Sequence, residues 1–439
     1  MANKKVLIIT YYWPPSGGGG VQRWLKFAKY LPENGWEPII FTPDNPEYPV
    51  IDQSLEKDIN PKLKVLKHPI WEPYQLFKKL SGRPAKERVN TGLLFDDKKI
   101  GITERISLWI RGNLLIPDPR IFWVRPATHF LEKEWNKINP DLIVTTGPPH
   151  SMHLIGMKLH KKFNIPWIAD FRDPWSKLDF LQRFYPTKPA IKKQQRLENM
   201  VVNSASAILS VSETWGKEIQ ANTIKKVSVI TNGFDQSDFI IEKGDVKPNK
   251  FLISHMGIIN SLRNPKVLWQ SLSELCGEIP TLENDLEIRL IGTVDPGLVN
   301  EIIEYPLLKE NVKVISYLPH EKIVNEYYKS ACLLLLLNDS KIAKGHIPGK
   351  LFEYLASNTP ILALGPGDSD VSKILIENSA GLTVDPNDKE LLKKSIAQIY
   401  RDFKENTLRT KEGNIQKYSR ENLTKSLADY FNVVTESGT

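Results

Sequence analysis

Short apolar runs of strand length alternate with amphipathic segments along nearly the whole chain, and this alternation restricts the fold more than any other feature. In the first half, residues 6–10, 37–41, 142–145, 167–170, 207–211 and 227–231 read as strands. In the second half, residues 251–256, 287–291, 312–315, 333–337, 360–364 and 381–384 read the same way. Segments such as VQRWLKFAKY at 21–30 carry the helical period between them. Near-continuous apolar strands separated by helices predict parallel sheets covered on both faces. A chain of 439 residues exceeds one ordinary core, so two domains are expected. The stretch 237–250, SDFIIEKGDVKPNK, lacks either period and reads as the linker. The predicted fold class is α/β, with two doubly wound Rossmann-like domains facing a cleft: 1–236, then 251–415. A helical, charged tail at 416–439 is expected to pack back on the first domain.

The apolar fraction of 41% and charged fraction of 25% are those of a soluble globular protein. The longest apolar block, 331–337, has the length of a buried strand and not of a membrane span. The N-terminal MANKKVLIITYYW runs into Pro14 and a glycine run, which predicts a first strand rather than a signal peptide. Cys276 and Cys332 sit in apolar contexts and read as buried thiols of a reducing cytosol. The net charge of +8 is concentrated: residues 77–125 hold eleven Lys and Arg against five Asp and Glu. Apolar residues and tryptophan are interleaved there, as in Leu93-Leu94-Phe95 and Leu108-Trp109-Ile110. Such a stretch fits peripheral contact with an anionic membrane from the cytoplasmic side, or an insertion packed on its domain with solvated charges. Nucleic acid is not expected as a partner, since no recognised motif accompanies the charge.

In a doubly wound fold the functional residues follow the strands. Residues 347–364, IPGKLFEYLASNTPILAL, predict a helix that opens at Pro348 and Gly349 and leads into a strand. Free amides and the positive dipole end at a helix start attract an anion such as a diphosphate. Lys350 adds a charge there, and Glu353 stands one turn on, where a carboxylate suits ribose hydroxyls. The first predicted strand leads into Gly17, Gly18, Gly19 and Gly20, which let backbone approach a ligand closely. The third glycine of the dinucleotide fingerprint is missing, as Gln22 and Arg23 stand in its place. TGPPHSMH places His150 and His153 after one strand; DFRDPW places Asp170, Arg172 and Asp173 after the next. Gly257 ends the first strand of the second half and Arg263 follows it, a guanidinium suited to a diphosphate. Neither of these two clusters has zinc spacing, and Asp368-Ser369-Asp370 reads as a turn or cap, so no metal is expected.

Together these blocks resemble the family 4 retaining glycosyltransferases of the GT-B fold, in particular bacterial members that build surface polysaccharide. The resemblance rests on YYWPPSGGGG, TGPPHS, ADFRDPW, SVSE, ITNGFD, GIINSLRNP, LIG, SYLPHEKI and IPGKLFEYLASNTPILAL, in that order over nearly the whole chain. It implies transfer of a sugar from a UDP- or GDP-sugar to a glycan or lipid-linked acceptor, with retention and without a cofactor or metal. By the resemblance the second domain binds the nucleotide sugar and the first holds the acceptor. Glu353 would bind the ribose; Lys350 and Arg263 the diphosphate, with Gly257 and Gly349 beside them. The amides of Gly17 to Gly20 would face the donor. His150, with His153 as the alternative, would contact the donor sugar, so that His150, Arg263 and Lys350 form the catalytic set. His153, Asp170, Arg172 and Asp173 would lie on the acceptor side. Asn232 to Asp235 would mark the approach to the hinge.

Two positions depart from the family. Its members often carry a glutamate eight positions before the one matched by Glu353, and here Gly345 stands there. Many also have arginine directly after the glycine matched by Gly257, where this chain has Ile258. The donor sugar's usual carboxylate contact is therefore missing. A nucleotide-sugar epimerase of the same architecture and a non-catalytic nucleotide-sugar-binding homologue remain as alternative readings.

Overall fold

The computed structural model describes residues 3–73, 101–239, 248–260, 263–316, 318–338, 340, 342–408 and 413–436. Most of the basic half of the 77–125 stretch, including Leu93 to Phe95, lies outside the described residues, as does 240–247 of the expected linker. The chain divides into two compact units. One takes the described residues up to Asn232 together with the helix from Arg420; the other runs from Gly233 to Ser419. The division falls inside the Asn232 to Asp235 block. Phe234 is buried in the second unit's core and its N–H donates to Tyr418 O.

The first unit is built on β1 (Lys4–Ile9), β2 (Trp36–Pro43), β3 (Lys64–His68), β4 (Leu142–Gly147), β5 (Trp167–Phe171), β6 (Ala207–Ser210) and β7 (Val227–Val229). All pairs are parallel, in the order β3-β2-β1-β4-β5-β6-β7. Its helices are α1 (Gly19–Tyr30), α2 (Ile102–Asn113), α3 (Ile121–Ile138), α4 (Ser151–Phe163), α5 (Lys188–Ser204) and α6 (Glu213–Gln220). The inner strands are apolar on both faces because helices cover both: Leu7, Ile9 and Ile143 pack in one cluster, and Val6, Ile8 and Val144 in the other. β3 is an edge strand with exposed Lys64 and Lys67, so it has no apolar run for the sequence to announce.

The second unit repeats the design with β8 (Phe251–Met256), β9 (Leu286–Ile291), β10 (Val312–Ile315), β11 (Cys332–Leu336), β12 (Ile361–Leu364) and β13 (Gly381–Val384). These too are parallel, in the order β10-β9-β8-β11-β12-β13. Around them lie α7 (Lys266–Glu278), α8 (Pro280–Asp285), α9 (Pro296–Ile303), α10 (His320–Lys329), α11 (Lys350–Ser357), α12 (Asp370–Glu377) and α13 (Lys389–Lys404). The last helix, α14 (Arg420–Glu436), belongs to the first unit. Its Leu427 and Phe431 are fully buried in the cluster around α1, with the Phe431 ring 5.2 Å from Trp36. In each sheet the strand order reverses once, at β1/β4 and at β8/β11. Those reversals open a crevice at the strands' carboxyl ends, where ligands of such sheets bind.

Candidate active site

In the second unit, the loops after β8 and β11 and the start of α11 bring Gly257, Arg263, Gly349 and Lys350 to one place. Gly257 has φ +131°, a conformation that favours glycine, and a Cβ there would lie 3.2 Å from Lys350 Nζ. The Lys350 ammonium donates to Met256 O at 2.6 Å and lies 3.3 Å from His255 Nε2. His255 Nδ1 is 2.9 Å from Leu334 O, so it carries the ring proton and Nε2 accepts from Lys350. Burial, reinforced by the Arg263 charge, pushes the Lys350 pKa down to about 7. Arg263, its own pKa lowered by burial, donates from Nε to Asn338 Oδ1 after β11. His346 completes the cluster: burial and then the Arg263 and Lys350 charges hold it neutral, with a pKa of about 4. Neither Lys350 nor Arg263 has an ion pair among the described residues. Two desolvated cations without a carboxylate define a site for an anion. At Gly349 an added Cβ would meet nothing within 4 Å, so the helix start is open to a ligand.

Glu353, one turn into α11, is held from α10. Tyr327 Oη donates to its Oε2 at 2.6 Å, and His320 Nε2 lies 3.1 Å from Oε1. Gly345 sits in a buried 3-10 turn, Ala343–Gly345, ahead of the helix. Asp368-Ser369-Asp370 starts α12: Ser369 Oγ accepts from Ser372 N at 3.2 Å, Asp368 pairs with Lys344, and Asp370 with Lys373.

The first unit gathers the other predicted residues around the ends of β4 and β5. Gly147 ends β4, and a Cβ on it would come within 2.8 Å of His150 Nδ1 and 2.6 Å of His153 Nε2. Trp167 Nε1 donates to Thr145 Oγ1 at 2.8 Å, and the same hydroxyl lies 2.8 Å from His153 Nδ1. His153 Nε2 has no partner among the described residues. Burial pushes its pKa down to about 3. His150 stacks on Trp175 with ring centroids 4.6 Å apart, and neither of its buried nitrogens has a partner among the described residues. Burial, then His153 and Arg172, hold it neutral as well.

The two aspartates differ. Asp170 is fully buried and accepts from Arg23 Nε and Nη2 at 3.2 and 3.0 Å, Trp24 Nε1 at 2.8 Å and Thr146 Oγ1 at 2.9 Å. Three of these bonds fall on Oδ2 and one on Oδ1, and together they brace α1 against β4 and β5. Asp173 makes no hydrogen bond among the described residues, and burial raises its pKa to about 6 against the opposing pull of Arg172. Arg172 itself donates to Gly20 O and Pro148 O, which ties the glycine loop to the β4 loop. Within that loop the Gly17 N–H donates to Val50 O at 2.9 Å, Gly18 precedes α1 with φ +91°, and Gly19 opens the helix. The Gly17 amide is thus engaged within the protein.

The model of glycosyl transferases group 1 matches residues 236–417, and that of glycosyltransferase family 4 matches residues 92–238. The chain belongs to these glycosyltransferases. Comparison with curated protein sequences found no match. Among solved structures, the fold resembles a sucrose-phosphate synthase of Thermosynechococcus elongatus at 14% identity and TM-score 0.65, covering 99% of this chain and 100% of that one. It resembles the Anabaena protein HepE, solved in complex with UDP and glucose, at 13% identity and TM-score 0.59, covering 98% and 100%. A putative UDP-N-acetylglucosamine 2-epimerase of Listeria monocytogenes is similar at 14% and TM-score 0.56, covering 99% and 98%. At such identities these neighbours establish the GT-B architecture of two parallel-sheet units.

In this glycosyltransferase the sequence reading missed His255, His320, Tyr327, Asn338 and His346. His320 lies in the SYLPHEKI block and His346 directly before IPGKLFEYL, so both were in view without a role. Tyr327 and Asn338 are 26 and 75 residues from the side chains they hold, and nothing local signals the pairing.

Proposed function

We propose that the protein transfers a sugar from a UDP- or GDP-sugar to a glycan or lipid-linked acceptor, with retention at the anomeric carbon. The observation that carries this reading is the pair of buried cations, Lys350 and Arg263, at an open helix start with the Glu353 carboxylate one turn on. That sequence of charges suits a diphosphate followed by a ribose. Membership in the glycosyltransferases supports transfer, and the likeness to a protein solved with UDP and glucose supports a nucleotide donor.

Departure of the diphosphate is the difficult step. Lys350, Arg263 and the first amides of α11 stabilise the charge that develops on it, without a metal or cofactor. The leaving diphosphate accepts the acceptor hydroxyl's proton on the face it departs from, so retention needs no protein nucleophile. His150 and His153, both neutral, hydrogen-bond sugar hydroxyls rather than supply a proton. Asp173, not Asp170, orients the acceptor hydroxyl, because Asp170 is fully buried and paired with Arg23. The test is turnover of a panel of UDP- and GDP-sugars with lipid-linked and glycan acceptors, with the product anomer read by NMR. A retained anomer that forms only with acceptor is expected. Sugar isomerisation without acceptor would replace this reading with an epimerase, and binding without turnover with a non-catalytic homologue.

A further inference from the structure

One helix of the first unit turns its apolar side outward. α2 (Ile102–Asn113) buries none of its residues, and Ile102, Ile106 and Trp109 are 79%, 53% and 42% exposed. At spacings of four and three they form one stripe on the helix surface. Leu114, just past its end, is 61% exposed. Other side chains of α2 hold it to the unit. The Arg111 guanidinium lies 4.5 Å from the Phe184 ring centroid, and Asn113 bonds Tyr185 O at 3.1 Å and Thr187 N at 2.7 Å. Gly112 admits the Phe184 backbone, since a Cβ there would come within 2.4 Å of its carbonyl oxygen. Single exposed apolar residues are ordinary on a protein surface, but a stripe of them on an anchored helix needs an apolar medium.

The charge nearby says which medium. Arg105 is exposed beside the stripe, its guanidinium 5.6 Å from the Tyr185 ring centroid. Immediately after Thr187, α5 begins with exposed Lys188, Lys192, Lys193 and Arg196. Residues 101–116 and 183–196 contain one acid between them, Glu104. A second copy of the chain would set cations against cations, and a nucleic acid would leave the isoleucines unrewarded. An anionic bilayer satisfies both halves: headgroups take the cations, while Ile102, Ile106 and Trp109 enter the acyl boundary. No helix among the described residues is long and apolar enough to cross a membrane, so the contact lies along the surface.

We infer that α2, with the cationic start of α5, docks this protein on an anionic membrane surface. The inference does not depend on the identity of the donor or acceptor. It is tested by co-sedimentation of the full chain with vesicles of phosphatidylcholine alone or with about a third phosphatidylglycerol, at low and high salt. Preferential pelleting with anionic vesicles, weakened by salt, is expected. The double variant Ile106→Ser/Trp109→Ser should lose most of the binding at an unchanged melting temperature. Lys188→Glu/Lys192→Glu should weaken it by roughly tenfold or more and flatten its salt dependence. Equal pelleting with neutral vesicles, or none with either, overturns the inference. So does a change in oligomeric state caused by Ile106→Ser/Trp109→Ser in lipid-free sedimentation, which would assign the stripe to a second copy.

Discussion

Lys350 is a residue whose surroundings bring its titration down to neutral pH. An ammonium donating to a carbonyl and a neutral imidazole, beside a guanidinium, is charged only below about pH 7 in the free protein. A lysine of lowered pKa carries its positive charge below that value and loses it as pH rises through it. The free protein's capture of a diphosphate should therefore fall above pH 7, while a bound diphosphate raises the pKa and keeps the lysine charged. We expect kcat/KM for the nucleotide sugar to decline above about pH 7 and kcat to hold to higher pH. Lys350→Ala should lower kcat/KM by roughly 10²–10³ and remove that limb, with little change in the melting temperature. Coincident pH profiles for the two parameters would count against the assignment.

At the same scale the two aspartates make opposite predictions. Asp170→Asn leaves Arg23, fully buried, without its counter-ion and should destabilise the first unit by about 3–5 kcal/mol in urea unfolding. Asp173 has a folded pKa of about 6, above the ordinary carboxylate value. The unfolded chain therefore releases its proton first as pH rises, and Asp173 costs stability from about pH 4 upward, most fully above pH 6. Asp173→Asn should thus stabilise at pH 7, on the order of 1–2 kcal/mol, with no gain at pH 3. It should also slow transfer to the acceptor, the trade expected of a group kept for function rather than for folding.

Among the elements, α10 and α11 act as a pair. Glu353 lies on one and its two holders on the other, so the carboxylate's direction depends on how the helices pack, with the Tyr327 and Tyr354 rings 5.2 Å apart between them. Glu353→Gln should weaken nucleoside diphosphate binding about tenfold in titration calorimetry. Tyr327→Phe should weaken it less, and the double variant by less than the sum, because the hydroxyl acts only through the carboxylate. Full additivity would separate the two residues.

How much could be read beforehand follows from the same pairing. Strands covered on both faces declare themselves as apolar runs, so β8 stands where its run places it and β12 begins within a residue of its own. β3 has no such run because Lys64 and Lys67 interrupt it and face solvent, and it went unread. Gly257, Arg263, Lys350 and Glu353 were legible because each stands at the end of a strand or the start of a helix. The partners that set their chemistry were not. His255 reads as one more strand residue, and the anchoring of Asp170 depends on Arg23 and Trp24, more than a hundred residues away.

For the whole molecule, two sheets with separate cores imply two unfolding transitions, and the path of the chain decides which residues report on each. α14 lies last in sequence yet belongs to the first unit, where Leu427 and Phe431 close the cluster around α1 and Trp36. Truncating a fully buried phenylalanine costs about 3–5 kcal/mol. Phe431→Ala should therefore lower the transition that Asp170→Asn also lowers, and leave the other in place. The ligand should act on the opposite one. A nucleoside diphosphate held by Lys350, Arg263 and Glu353 at 100 times its dissociation constant adds about 2.7 kcal/mol to the unit that binds it. Scanning calorimetry of the Phe431→Ala variant with and without UDP or GDP separates the two effects. The transition lowered by the mutation should not respond to nucleotide, and the unaffected one should rise. A nucleotide that raised the mutated unit's transition alone would move the anion site away from α11 and into the first sheet.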